Sequence, residues 1–575
     1  MTARLVADEE IRAVGTLAWL GGSVSLAKFR LALLLLGSLP AAVPAQTSPH
    51  FDGARVSHHI ELLASDAFAG RGPGAAGETN SIDYIAAQFR SAGLQPGGDL
   101  KDGKRSWMQD VPLLCASIHG TPSIRLTNGG TTTPLTPGEQ IVVRAALTGQ
   151  KHVSFENVPM IFVGYGVTAP ERHWDDYKGI DVRGKLLVVL ISDPDFENET
   201  GASAGRSMTY YGRHTYKYEE AVRRGAAGLL IVHETGSTGY HWSVVKHTLG
   251  DQQCENKRQA TATSHTPFES WIQHDVAVQL FADSGLDFAA LGKSAQTRAF
   301  QPVPLKATLS ADYAVDAVTT MSHNVVARIA GKRHPAETLI YSAHWDHLGI
   351  GEPDARGDRI YHGALDNASG TAMLIEMARA FKAAPPPDRS VVFIAFTAEE
   401  KLFLGSAYYA AAPLYPLATT VGLLNMDILS PYGPARNFTV FGGNAKVELL
   451  EDFIEAGRKQ GLYFTPHPDP SGLYYRVDQI SLAKVGVPAI TVDIGNNLVD
   501  GGVARGDAQS EAFYRDRYHT PSDRWEPGWD TRGELQAGEL LFAVGERLAN
   551  SREWPNWHAD SEFRAPRDAT AAQRK

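Results

Sequence analysis

Past residue 324, short apolar runs alternate with segments whose apolar positions recur three and four residues apart. That is the pattern of buried strands interleaved with amphipathic helices. It predicts strands at 338–343, 390–396, 421–426 and 488–493, and helices at 369–383, 405–411, 445–460 and 533–549. Pro385, Pro386 and Pro387 stop the 369–383 helix, since proline cannot continue a helical ladder. Strand–helix alternation of this kind predicts an α/β fold with a mixed, mostly parallel sheet sandwiched by helices.

The earlier part of the chain reads differently. Two helices are expected within 51–94 around the Gly-rich loop 69–77, which lacks the Lys-Ser/Thr ending of a phosphate-binding loop and reads as a plain connection. The stretch 107–150 alternates apolar and polar residues between glycines and prolines and reads as β-structure. Between 158 and 304, two hydrophobic strands, a helix and a further strand predict a small inserted α/β unit with no catalytic cluster of its own. The polar tail from Asn556 is expected to be disordered.

At the amino terminus, Lys28 and Arg30 precede the apolar run 31–36, and Val43 and Ala45 occupy the small-residue positions of a cleavage site. Residues 1–45 therefore read as a signal peptide, with a noncleaved anchor as the alternative. No later segment is apolar for the roughly 20 residues a bilayer span needs, so the expected location is secreted or periplasmic. Composition narrows the chemistry. A formal net charge of −10 provides no basic field to recruit nucleic acid. The two cysteines, Cys115 and Cys254, exclude a disulfide-rich scaffold and any cysteine-cluster metal site. An oxidising compartment permits a bridge between them, and two unpaired thiols are equally compatible with the sequence.

Open α/β sheets present functional groups just beyond the carboxyl ends of their strands. Those positions hold His344 and Asp346, Asp366 and Asn367, Glu399 and Glu400, Asp427, and a late loop with Tyr518, His519 and Asp523. Each alone suits a cap, a turn or a solvated surface; their joint occurrence at successive elements points to one site. Asn367-Ala-Ser is also a formal glycosylation sequon inside that site. Carboxylates converging at a sheet end repel, and divalent cations are their natural neutraliser. Nitrogen and oxygen donors without thiolates fit zinc, with manganese or cobalt compatible by donor type.

The set His344, Asp346, Asp366, Asn367, Ser369, Gly370, Glu399, Glu400, Asp427 and His519 resembles peptidase family M28, the two-zinc exopeptidases that include bacterial aminopeptidases and glutamate carboxypeptidase. The resemblance implies the zinc exopeptidase fold and two Zn2+ ions per chain. Asp366 would bridge both, His344 and Asp427 would complete one site, and Glu400 with His519 the other. It further implies Asp346 hydrogen-bonded to His344, Glu399 as the general base toward a metal-activated water, and Tyr518 as a candidate oxyanion donor. Three carboxylates do not cancel two such ions, so the centre would stay mildly cationic, as a Lewis acid requires.

A second resemblance covers the insert. Ile161, Phe162, Val163, Gly164, Tyr165 and Gly166, the pair Asp175 and Asp176 with Tyr177, the run 181–186 and the run 221–228 are similar to a protease-associated domain. The implied organisation is 51–115 as the first part of the catalytic domain, 116–310 as β-rich segment and protease-associated insert, 320–552 as the main peptidase domain and 553–575 as the tail. Two departures from the M28 pattern stand out. Arg476, Val477, Asp478 and Gln479 replace the usual Ser-Asp-His, and 496–517 is an insertion before His519.

The leading expectation is an aminopeptidase acting on peptide substrates. Carboxypeptidase or dipeptidase activity, with Arg476 receiving a substrate carboxylate, is a variant of it. Glutaminyl-cyclase-like acyl transfer and a noncatalytic binding ectodomain are the readings from other classes.

Overall fold

The computed structural model describes residues 48–196, 207–238, 241–250, 252–257, 264–442, 445–466, 469 and 471–574. The expected signal peptide at 1–45 lies outside the described residues.

The core of the carboxyl-terminal half is a run of strands in the order Asn437–Val440, Ala489–Ile494, Thr420–Asn425, His334–His344, Arg389–Phe396 and Val303–Ile329. His334–His344 pairs in parallel with both of its neighbours, and Thr420–Asn425 in parallel with Ala489–Ile494. Every residue of Arg389–Phe396, Thr420–Asn425 and Ala489–Ile494 is buried, as expected of parallel strands covered on both faces. Side-chain alternation divides the core. Leu339, Tyr341, Val391 and Phe393 pack with helices Gly53–Leu63, Ser369–Ala383 and Arg532–Asn550, whereas Ile340, Val392, Ile394 and Leu423 pack with Tyr409 and Leu482 on the other face. The predicted α/β architecture, mostly parallel between helical layers, is present.

The inserted unit is built on the same sheet. His152–Phe162, Leu186–Leu190, Gly228–His233 and Phe268–Gln273 run in parallel, with Ile141–Arg144 antiparallel at the edge. The 27-residue strand Val303–Ile329 joins the two halves: its end pairs with Arg389–Phe396, its middle with Met108–Asn128 and its start with His152–Phe162. The segment limits expected at 115/116 and 310/320 therefore fall within continuous strands. Long strands carry one hydrogen-bond ladder through both units, and composition does not change where the ladder does.

Two further differences have physical causes. The tail after Asn556 is packed, not disordered: Trp557 is 1 % exposed and its indole donates to Gly486 O. Arg567, equally buried, donates to the carbonyl of Thr420. Cys115 and Cys254 form a disulfide between paired strands Met108–Asn128 and Gln253–Asn256, in an apolar cluster with Ala398 and Leu404.

Candidate metal centre

Register places the site. His344 stands level with Phe396 and Ser342 with Asn425, so the loops carrying His344, Glu399 and Asp427 leave the sheet side by side. Asp366 sits in the turn before helix Ser369–Ala383. Around it the structure gathers all five expected ligands. His344 Nε2 lies 3.3 Å from Asp366 Oδ1 and 3.4 Å from Asp427 Oδ1. On the opposite side, His519 Nε2 lies 3.2 Å from Asp366 Oδ2 and 3.1 Å from Glu400 Oε2. Two groups able to hold an ion share Asp366: His344 with Asp427, and Glu400 with His347.

His347 is the residue the sequence reading missed. Its Nδ1 is 2.6 Å from Glu400 Oε1, and its ring meets His519 edge-on at 5.6 Å. Its position next to Asp346 was the available signal.

Neighbouring side chains hold the loops. Asp523, fully buried, accepts the N–H groups of Leu365 and Asp366. Asn367, equally buried, donates to Met426 O and accepts from Gly370 N and Ile428 N, bracketing Asp427. That burial removes the sequon from solvent. Asp346 differs in detail from expectation. Its carbonyl, not its carboxylate, takes His344 Nδ1 at 3.1 Å, and the carboxylate accepts the N–H groups of Glu399 and Glu400. Its Oδ1 stands 3.7 Å from His344 Nδ1.

The residues fit a divalent metal. With Nδ1 directed at a carbonyl, His344 Nε2 faces carboxylate oxygens in no hydrogen-bond geometry, a buried polar atom without a partner. Buried polar groups are nearly always satisfied, and a cation between nitrogen and oxygen satisfies both. Electrostatics agrees. Burial raises the Asp427 and Glu399 carboxyls, Glu399 well above the usual range, with His344 opposing the shift in both. For Asp366 and Glu400 burial also pushes upward, and the adjoining imidazoles outweigh it and hold them low. Burial would depress His519, but Glu400 and Asp366 raise it to about 10. Among the described residues no Lys or Arg pairs with any of these carboxylates.

Glu399 Oε2 stands 4.0 Å from His344 Nε2, beside the centre. The Tyr518 ring stacks on His519 with centroids 3.9 Å apart. Gln479 is buried, donating to Tyr474 O and accepting from Thr491. The insertion forms helix Gly502–Asp516. Segment 207–213 of the inserted unit docks on the loop before Arg476, through Met208 N to Asp469 O and Asp469 N to Ser207 Oγ.

Imidazoles and carboxylates gathered at the carboxyl end of a mostly parallel sheet define a metal centre of nitrogen and oxygen donors. Residues 324–543 match the sequence profile of peptidase family M28, which makes that segment a member of the family. It is 35% identical over 138 residues to a probable zinc metalloprotease of Pyricularia oryzae, covering 24% of this chain and 26% of the relative. It is 39% identical over 222 residues to aminopeptidase YwaD of Bacillus subtilis, covering 37% of this chain and 41% of that one. The chain thus spans between about a quarter and two-fifths of these curated relatives. An aminopeptidase structure from Aneurinibacillus sp. strain AM-1 superposes with a TM-score of 0.46 at 18% identity, over 88% of this chain and 96% of that one.

Proposed function

We propose that the chain is an exported zinc-dependent exopeptidase that hydrolyses the amino-terminal bond of peptides. The observation that carries this reading is the pair of ligand groups sharing Asp366 with Glu399 alongside. His344, Asp366 and Asp427 would hold one zinc ion, and Asp366 and Glu400 the other, with His519 completing it and His347 beside Glu400. Two zinc ions there supply Lewis acidity toward the scissile carbonyl and the attacking water. Glu399, buried and pushed toward proton affinity, takes the proton from that water and returns it to the leaving amine. Tyr518 directs its hydroxyl to the developing oxyanion. Asp346 sets the loop from which Glu399 and Glu400 project.

The aminopeptidase direction draws on the name of the Bacillus relative. Export draws on the basic and apolar pattern of 1–45 and on the Cys115–Cys254 bridge. No described helix is long and apolar enough to cross a membrane. We read 116–310 as a protease-associated domain walling the pocket, in keeping with its contact on 469–475. The decisive assay compares aminoacyl chromogens with N-blocked dipeptides, before and after chelation. Hydrolysis of the free-amine substrates, lost with chelator and restored by Zn2+, is expected; full activity after complete metal removal would end the proposal.

A further inference from the structure

Arg71 lies in the Gly-rich loop, outside the segment that matches the family profile. Its guanidinium is 1 % exposed and donates only to backbone carbonyls: Leu63 O, Trp345 O, His362 O and Gly363 O, at 2.7–2.8 Å. Trp345 follows His344, and Gly363 precedes Asp366 by three residues. The Arg71 carbonyl in turn accepts the N–H of His347. One side chain therefore links the two loops that deliver ligands from either side of Asp366.

Two costs indicate that the side chain is needed there. Arg71 has φ of 51° between two glycines, a left-handed backbone that glycine adopts without penalty and other residues do not. An ionised guanidinium is also buried with no carboxylate in contact among the described residues, which is unfavourable unless a field compensates it. The field comes from Asp523, Asp346, Asp366 and Glu400. An arginine guanidinium is always charged in proteins, so the group is cationic at neutral pH.

We propose that Arg71 is a positioning residue for the metal centre: it locks the His344 and Asp366 loops together and supplies a fixed positive charge, so that the acidic pocket is preformed before metal arrives. This rests on the metal-centre reading above. The loop thus does more than connect two helices.

The test uses the full chain with Arg71→Lys and Arg71→Gln. Zinc affinity is measured by competition with a chromogenic chelator, and thermal unfolding is followed in metal-free and zinc-loaded samples. Loss of an outer partner of this kind lowers metal affinity about 10–100-fold; the Gln variant should lose more than the Lys variant, and the zinc-induced rise in Tm should shrink in both. Unchanged zinc affinity, with the metal-free and loaded Tm falling equally, would show a merely structural arginine and overturn the proposal. Should neither variant fold, hydrogen exchange on the metal-stripped wild type decides. The amides of His347, Leu365 and Asp366 should stay protected, and rapid exchange there overturns the proposal. A wild-type chain that binds no zinc would instead sink the metal-centre reading itself.

Discussion

The Asp523 carboxylate accepts the backbone N–H of Asp366 at 3.0 Å, tying the loop that carries His519 to the residue shared by both ligand groups. Asp523→Ala leaves the Leu365 and Asp366 N–H groups unpaired in a buried site, at about 1–3 kcal/mol each. Zinc content by elemental analysis should fall after dialysis, with affinity reduced about 10–100-fold. Asp523→Asn, which keeps one acceptor oxygen, should recover part of the loss. Full zinc retention in the Ala variant would show that Asp366 needs no such support.

Glu399 stands 4.0 Å from His344 Nε2 and belongs to neither ligand group. Glu399→Gln should therefore keep its zinc and its Tm while kcat drops about 10²–10⁴-fold, the range for loss of a general base. Loss of zinc in parallel with turnover would make Glu399 a ligand.

Stability should depend on pH through a buried network in the inserted unit. His265 contacts Glu255 and Glu269, and Glu269 also pairs with Arg144. Burial would lower the His265 pKa, but the two glutamates outweigh it and raise it to about 9 from 6.5. A raised imidazole stabilises fully below 6.5 and loses its contribution as pH climbs through about 9. Glu269 is pushed up by burial yet held down by His265 and Arg144 to about 2 from 4.5, so its contribution disappears as pH falls from 4.5 toward 2. Tm scanned from pH 3 to 10 should therefore plateau between 4.5 and 6.5. His265→Gln should flatten the alkaline limb; an unchanged limb would assign it elsewhere.

The Cys115–Cys254 bridge closes 139 residues of sequence. Cys254→Ser should destabilise the chain by about 2–5 kcal/mol, read as a lower midpoint in denaturant. A phosphine reductant should lower the wild-type midpoint to the same value and leave the variant unmoved. A reductant effect on the variant would place the sensitivity outside this bond.

Much of the site was legible because its elements are local. His344, Glu400 and Asp427 follow apolar runs that read as buried strands, 338–343, 390–396 and 421–426, and parallel sheets put such positions together. Arg71 was not legible, and His347 showed only in its place next to Asp346. Their roles depend on which backbone comes near, and Arg71 reaches across 274 positions to Trp345 O. The ordered tail escaped notice for a similar reason: one tryptophan and one arginine anchor it in a polar stretch, through contacts with residues far away in sequence.

By itself, the sequence determined the strand and helix order, the donor chemistry and the absence of thiolate ligation, because apolar period and residue type act over a few neighbours. Tertiary structure alone decided which face of each carboxylate meets which imidazole, that the cysteines pair, and that one strand carries both units. Those outcomes follow from register and loop closure, where a shift of one residue turns a side chain to the opposite face and no local pattern records the choice.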